Sequence, residues 1–143
     1  MPDEQASRDS EHGAANEVSF EVRGSPPLKN EAMSVFNARH GQAARIRSLL
    51  EAAQRACQEQ GFVPIVERGA ALDVVARSPS GDAANIIGGI ADVLEDKPIR
   101  RSAIEHLGDL AAVWCYRNDK QLKRISYREE SGECSYTVTV RAL

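Results

Sequence analysis

Apolar and polar residues alternate along several short stretches of the chain, which is the spacing of half-buried strands. Residues 18–24 and 70–77 are the first two of these stretches. Residues 113–116 and 121–128 are predicted as two further strands. Residues 135–140 alternate strictly and are rich in β-branched side chains, so they are predicted to close the sheet after a hairpin turn.

Between the strands the apolar spacing becomes helical. Residues 42–60 carry the clearest helical stripe, and residues 83–94 carry a second one. Residues 103–111 are predicted as a short helix that begins with a capping box. This order of elements predicts an α+β domain over residues 18–143, in which a mixed β-sheet packs against helices.

Charge is distributed unevenly along the chain. Residues 1–17 hold five acidic residues and one basic residue, a net charge of −4, and they lack apolar periodicity. We therefore expect them to form a disordered acidic tail. Removing them from the totals of 18 basic and 21 acidic residues leaves 17 basic and 16 acidic, or +1. Such a near-neutral body suits a nucleic-acid partner only if its basic residues cluster.

Cysteine usage and hydropathy bear on the cellular setting. The chain has three cysteines, an odd number, and none of them forms a CxxC pair. A reduced cytoplasmic chain with cysteines acting as small apolar residues is the expected interpretation. No apolar run is long enough for a membrane span, and the N-terminal residues lack the apolar core of a signal peptide.

One face of the helix predicted at 83–94 is polar and poor in side chains. Asn85, Gly88, Gly89 and Asp92 follow helical spacing and so share that face, while Asp82 stands where an N-cap residue would be. A face thinned by glycine between two carboxylates suits a cation or a closely approaching phosphate backbone. It is the feature around which the rest of the chain is organised.

Carboxylates near the ends of predicted elements are the candidate metal ligands. Asp82, Asp92 and Asp119, if they converge, would bind Mg²⁺, which prefers oxygen ligands and can activate water at a phosphodiester. The alternative interpretation is that Asp82 only caps a helix and Asp119 only serves a turn. Phosphate-loop, dinucleotide, zinc-protease and serine-hydrolase motifs are absent from the sequence, and its three histidines are scattered.

The order of these motifs resembles the RusA-type Holliday junction resolvases. The stretch 18–30 is similar to the family's first strand and its Pro-Pro loop. Residues 82–88, with the sequence DAANIIG, stand in place of an Asp-x-Asp-Asn-x-x-Lys segment, and Asp92-Val93-Leu94 follow it as a similar Asp-Ala-Leu does in the family. Residues 114–121 resemble an aromatic residue followed by an acidic pair and a glutamine. The resemblance covers residues 18–143, with an apparent insertion near 97–111.

The resemblance implies a homodimeric, Mg²⁺-dependent endonuclease that cuts branched DNA. Asp82 and Asp119 match the family's catalytic aspartates, and Asp92 is expected to join them as a third metal ligand. Asn85 and Lys120 are the expected substrate contacts.

Two positions depart from the family pattern: its second aspartate falls on Ala84 and its lysine on Gly88. Lys97 or Lys120 is a candidate replacement for that cation. Three hypotheses follow: an active nuclease, an impaired relative that binds DNA or a protein partner without cleavage, and an unrelated interaction module on the same fold.

Overall fold

The computed structural model describes residues 15–29, 41–97 and 105–143. The predicted tail therefore lies outside the described residues except at its end, where the boundary needs correction. The Ala15 N–H donates a hydrogen bond to the carbonyl of Gly61 (3.0 Å), and the first strand already begins at Glu17. Residues 15–17 thus belong to the folded domain. The predicted capping box at Ser102 and much of the apparent insertion also lie outside the described residues.

In the described residues, four strands form one mixed sheet, and they correspond to four of the five predicted stretches. They are β1 (Glu17–Arg23), β2 (Ala70–Arg77), β3 (Leu122–Glu130) and β4 (Ser135–Ala142). Their spatial order is β1-β4-β2-β3. β4 runs antiparallel to both of its neighbours, whereas β2 and β3 are parallel. In this order, β3 forms one edge of the sheet and β1 forms the other.

Within the described residues, two α-helices accompany the sheet, at positions that the helical spacing predicted. α1 spans Gly41–Gln60 and ends before Gly61, which has a φ of 69° and so provides the left-handed residue common after a helix. α2 spans Ala83–Leu94 and connects β2 to β3 as the crossover that parallel strands require. The fold is therefore α+β with a mixed sheet, as expected.

The core lies between the helices and one face of the sheet. Alternate strand residues such as Val18, Val74 and Val138 point into it, and α2 contributes Ile86 and Ile90 from its apolar stripe. Each of these five side chains is at most 1 % exposed. Burial of one such side chain stabilises the fold by about 1.5–3 kcal/mol, so this layer supplies the main driving force for folding.

The predicted hairpin between the last two strands is wrong. β3 and β4 follow one another in sequence, but β2 lies between them in the sheet. The connection instead crosses the end of β2, where the Ser78 hydroxyl donates to the carbonyl of Gly132 (2.7 Å). The turn residues over 129–133 suited a tight hairpin, but the parallel pairing of β2 with β3 requires β4 to insert on the other side of β2.

The predicted strand over residues 113–116 is also wrong. Only Tyr116 makes bridges, to Ile65 and Glu95, and neither bridge belongs to the four-stranded sheet. Cys115 and Tyr116 are completely buried, so their apolar character reflects packing under α1 and α2 rather than membership of a sheet. The helix predicted at 103–111 is a 3₁₀ helix, Glu105–Ala112, interrupted at Gly108 where φ is 56°.

Candidate functional site

Asp82 is the N-cap of α2, as predicted. One carboxylate oxygen accepts a hydrogen bond from the backbone N–H of Asn85 (2.9 Å), and the other accepts one from the Asn85 side-chain amide (3.2 Å). The side chain satisfies a backbone donor that the first turn of a helix leaves unpaired. Asn85 is thereby placed beside Asp82 at the N-terminal end of α2, and both groups face outward from the core.

Tyr127 on β3 lies close to this end of α2. Partial burial, a hydrogen bond from its hydroxyl to Glu129 (2.7 Å) and the negative charges of Glu129 and Asp82 raise its pKa to about 12. Asp82 follows the end of β2, where Arg77 pairs with Glu130 of β3, so this carboxylate lies toward the C-terminal end of β3.

The glycine face of α2 is covered by the segment Pro27–Lys29 of the same chain. A methyl group added at Gly89 would lie 2.6 Å from the carbonyl carbon of Pro27, and one added at Gly88 would lie 2.8 Å from Cβ of Lys29. Both distances are shorter than van der Waals contact. The expectation of a face open to a cation or a phosphate backbone is therefore corrected: the glycines admit the chain's own Pro-Pro segment.

Lys29 crosses α2 over Gly88. Its Cβ, Cγ and Cδ atoms would lie 2.8–3.3 Å from a Cβ at that position, and its ammonium group is 3.9 Å from the carboxylate of Asp92. Gly88 is the position where the family pattern carries a lysine. The side chain of Lys29 thus fills the space beside α2 at Gly88, which a lysine side chain at position 88 would also need.

Asp92, Glu95 and Lys97 form an ion-pair group at the C-terminal end of α2. The Lys97 ammonium lies 2.9 Å from Asp92 and 3.0 Å from Glu95. The three side chains are only 14–33 % exposed. Partial burial opposes the charge on Lys97, but the hydrogen bonds and charges of the two carboxylates outweigh it and raise the pKa of Lys97. The carboxylates of Asp92 and Glu95 are therefore bound by the ammonium group of Lys97 in the same chain.

Asp119 lies next to this group. It begins a short 3₁₀ helix, Asp119–Gln121, and its N–H donates to the Glu95 carboxylate (3.1 Å). The preceding Asn118 caps the turn by accepting from the N–H of Lys120 (2.8 Å). We call Asp92, Glu95 and Asp119 the acidic cluster. Burial raises the pKa of the nearby Tyr116 hydroxyl, and the negative charges of Cys115, Glu95, Asp119 and Asp92 raise it further.

The backbone of Asp119 lies against Glu95, and Glu95 shares Lys97 with Asp92, whereas Asp82 lies at the other end of α2. Asp82 and Asp92 are ten residues apart at opposite ends of α2, which corresponds to about 15 Å along a helix. One Mg²⁺ ion binds its ligands at about 2.1 Å and cannot bridge that distance. Among the described residues, no three His, Cys, Asp or Glu side chains are placed to hold one metal ion. The three predicted ligands therefore do not fit a single ion within one chain.

A run of basic residues follows Asp119 onto the edge strand. We call the basic edge the exposed side chains of Arg117, Lys120, Lys123, Arg124 and Arg128. Residues 117–128 contain these five cations and a single acidic residue, so this short stretch carries +4 while the rest of residues 18–143, with 12 basic and 15 acidic residues, carries −3. This is the clustering that a nucleic-acid partner requires.

Most of the basic edge is free of internal ion pairs. Arg117 stacks over Trp114 (5.5 Å to the ring centre) and lies 3.8 Å from Asp96, and Arg128 pairs with Glu130. Within the part of the chain that the structure describes, no carboxylate pairs with Lys120, Lys123 or Arg124. These three cations are available to an external anion.

The opposite edge of the sheet is closed by a side chain. The amide of Gln60 accepts from the N–H of Ser19 (3.1 Å) and donates to the carbonyl of Ser19 (2.7 Å), so it occupies the free backbone groups of β1 at this point. β3 lies three strand spacings away, about 14 Å. The open, charged edge of this sheet is therefore β3.

Two charged residues near Asp92 were not predicted from the sequence: Glu95, which belongs to the acidic cluster, and Lys29. Glu95 lies three residues after Asp92, a spacing that places both on one side of a helix end, and this signal was available. Lys29 lies more than 60 residues away in sequence from Asp92, and nothing in the local pattern connects them.

No family model matches the chain, and no curated protein matches it. Among the described residues, no helix is both long and apolar enough to cross a lipid bilayer.

Proposed function

We propose that this protein binds branched DNA through the basic edge, as a relative of the RusA-type resolvases whose cleavage activity is impaired. The observation that carries the proposal is the clustering of five exposed cations within twelve residues of a domain whose remaining residues carry a net charge of −3. Phosphate contacts from lysine and arginine supply most of the affinity in non-specific DNA binding. The preference for branched DNA comes from the sequence resemblance.

Impaired cleavage is proposed because of what surrounds the candidate ligands. Asp82 lies about 15 Å along α2 from Asp92, and Asp92 and Glu95 are already bound by Lys97. An incoming cation would have to compete with that ammonium group. We derive no metal-dependent step for this chain on that basis.

Affinity for a labelled four-way junction tests the proposal. The variant Lys120→Gln/Lys123→Gln removes two unpaired cations while keeping polar side chains at both positions. At about 0.1 M salt, the loss of two phosphate contacts is expected to weaken binding roughly 10- to 60-fold. The matched control is Arg23→Gln/Arg55→Gln, which removes two exposed charges beside β1, at the opposite edge of the sheet. Equal losses in both variants, or no binding by the native chain, would contradict the proposal.

A second candidate function is Mg²⁺-dependent cleavage of branched DNA, which the match of Asp82 and Asp119 to the catalytic aspartates of the resolvases favours. Incubation of the junction with Mg²⁺ or Mn²⁺ distinguishes the candidates. Cleavage that disappears in Asp82→Asn and in Asp119→Asn would establish the nuclease. Binding without cleavage at any concentration of either metal would establish the impaired relative.

We also propose that the chain forms homodimers, in a reduced cytoplasmic setting that suits its three free cysteines. Three of the four exposed large apolar side chains of the described residues are neighbours: Val63, Val66 and Leu143. Leu143 is held there because the Arg68 guanidinium donates to its carbonyl (2.7 Å). Light scattering should show a dimer that Val66→Glu converts to a monomer, whereas Ile125→Glu, on β3, should leave it intact.

A further inference from the structure

Trp114 is the only tryptophan of the chain, and its ring lies outside the hydrophobic core that the described residues form. It is half-buried, whereas four of the other five aromatic side chains that the structure describes are buried. Trp114 precedes the first cation of the basic edge, Arg117, by three residues. An aromatic ring at the surface beside a group of cations is typical of surfaces that bind unpaired bases.

Arg117 lies over the ring of Trp114 and is also bound by a carboxylate. Its guanidinium carbon is 5.5 Å from the ring centre, and its Nε atom is 3.8 Å from the carboxylate of Asp96. The side chain of Asp96 is 10 % exposed, whereas that of Arg117 is 56 % exposed. Because Asp96 compensates the charge of Arg117, this side chain offers an external ligand its flat guanidinium surface more than its charge.

The backbone that carries this pair is fixed at the beginning of the basic edge. The N–H of Arg117 donates to the carbonyl of Ile65 (3.1 Å), and the same carbonyl accepts from the side-chain amide of Gln121 (3.1 Å), the residue directly before β3. The N–H of Asp96 donates to the carbonyl of Tyr116 (2.9 Å). The ring and the guanidinium are therefore presented by a segment that is hydrogen-bonded to two other parts of the chain.

We propose that Trp114 and Arg117 form a base-stacking site, which takes one unstacked nucleobase of the DNA at its branch point. This inference rests on the proposed function, because phosphate contacts along the basic edge bring the DNA to the site. Every nucleobase has a flat π-face and stacks on aromatic rings and on guanidinium planes, whatever its sequence.

The site would prefer branched DNA for a physical reason. Taking a base out of a continuous duplex costs unstacking and unpairing energy, and this cost is least where the stack is already interrupted. A branch point interrupts the stack, whereas a duplex arm does not. Stacking at Trp114 and Arg117 would thus supply a preference for branched DNA that the cations of the basic edge, which contact phosphates of any duplex, do not supply.

Affinities of the full chain for a labelled four-way junction and for a duplex with the sequence of its arms test the site. Trp114→Leu should weaken junction binding roughly 5- to 150-fold, the effect of losing one stacked base, and should leave duplex binding unchanged. Because this change removes no charge, the salt dependence of junction binding should stay the same.

Arg117→Lys separates the flat group from the charge. Lysine keeps the positive charge but has no guanidinium plane, so this variant should also lose affinity for the junction and not for the duplex. The matched control is Arg128→Lys, the same substitution at a basic-edge residue that pairs with Glu130 (3.3 Å) near the end of β3. The control should leave both affinities unchanged, and Trp114→Phe, which keeps an aromatic ring, should retain the preference for the junction.

The fluorescence of Trp114 gives a second measurement, because the chain contains no other tryptophan. At equal fractions of bound protein, the junction should quench this fluorescence strongly and the duplex should not, since only the junction provides a base that stacks at the site.

Three results would overturn the inference. Junction affinities of Trp114→Leu and Arg117→Lys equal to that of the native chain would remove the stacking site and leave DNA binding by the basic edge intact. Equal quenching by junction and duplex would show that Trp114 lies near the DNA without selecting an unstacked base. A native chain that binds neither DNA would overturn the proposed function together with this inference.

Discussion

Replacing Gly89 by alanine tests the contact between α2 and the Pro27–Lys29 segment. Gly89 lies in the interior of α2 and is buried. In an open helix the change would stabilise the protein by up to about 1 kcal/mol, because alanine is the better helix former. Here the added methyl group would lie 2.6 Å from the carbonyl carbon of Pro27 and 3.0 Å from that of Leu28. The contact therefore reverses the sign that helix propensity predicts.

The size of the effect follows from these distances. Carbon atoms in contact prefer 3.5–4.0 Å, so the backbone at Pro27 must move by roughly 1 Å. Overpacking of this kind costs about 1–3 kcal/mol, and more where the obstructing atoms belong to backbone rather than to a flexible side chain. Because the obstructing atoms here are backbone, the upper part of that range, about 2–3 kcal/mol, applies. Subtracting about 1 kcal/mol for the gain in helix propensity leaves an expected loss of about 1–2 kcal/mol in the free energy of unfolding of Gly89→Ala.

Urea denaturation followed by circular dichroism measures this change. Ala84→Gly, at an exposed position of the same helix, measures the contribution of helix propensity alone and should cost no more than about 1 kcal/mol. A Gly89→Ala protein as stable as the native chain, or more stable, would refute the close packing of Pro27 on α2. The path by which Lys29 reaches Asp92 would then also be in question.

Three further outcomes are expected. The chain has three tyrosines, all with pKa values raised chiefly by burial, so phenolate absorbance should not develop near pH 10 in the folded protein. Because the tyrosines of the unfolded chain lose their protons near pH 10, the free energy of unfolding should fall as the pH rises above 10. A normal titration step of the folded protein at about pH 10 would contradict the raised pKa values. Lys97→Met should lower the free energy of unfolding by about 1 kcal/mol. Because the pKa of Lys97 is raised in the folded protein, the stabilisation by its ion pairs is complete below the pKa of the unfolded chain, near 10.4, and is lost as the pH rises through the folded pKa. The difference in stability between the variant and the native chain, measured by urea denaturation, should therefore shrink above about pH 10.4, and a constant difference would contradict the ion pair. Gln60→Ala, which exposes the backbone of Ser19 on β1, should cost about 1 kcal/mol and promote concentration-dependent association in light scattering, whereas Gln58→Ala should do neither.

The spacing of apolar residues predicted helices and strands well where that spacing is set by the burial of the element itself. The bounds of β2 and α2 match the residues whose apolar spacing predicted them, and Asp82 caps α2 because its oxygen satisfies the first turn. The strand order could not be obtained in the same way. A turn-rich loop at 131–134 is equally compatible with a hairpin and with a crossing over β2, and only the pairing of β3 with β2 decides between them. Residues 113–116 show a second limit of prediction from sequence, because a buried run of apolar residues is not always a strand.

The candidate site was predictable only in part for the same reason. The backbone of Asp119 contacts Glu95 although the two residues are 24 positions apart, whereas Asp82 and Asp92 are close in sequence and lie at opposite ends of α2. Helical spacing correctly placed the glycines of α2 on one face. It could not show that Pro27 and its neighbours fill that face, because the covering segment comes from more than 50 residues earlier in the chain.

The salt dependence of junction binding tests the central proposal most directly. Each phosphate contact made by the basic edge adds about 0.9 to the slope of log K against log salt concentration. We predict a steep negative slope for the native chain, reduced by about 1.8 in Lys120→Gln/Lys123→Gln and unchanged in Arg23→Gln/Arg55→Gln. A slope near zero for the native chain, or the same slope in all three proteins, would contradict DNA binding by the edge strand.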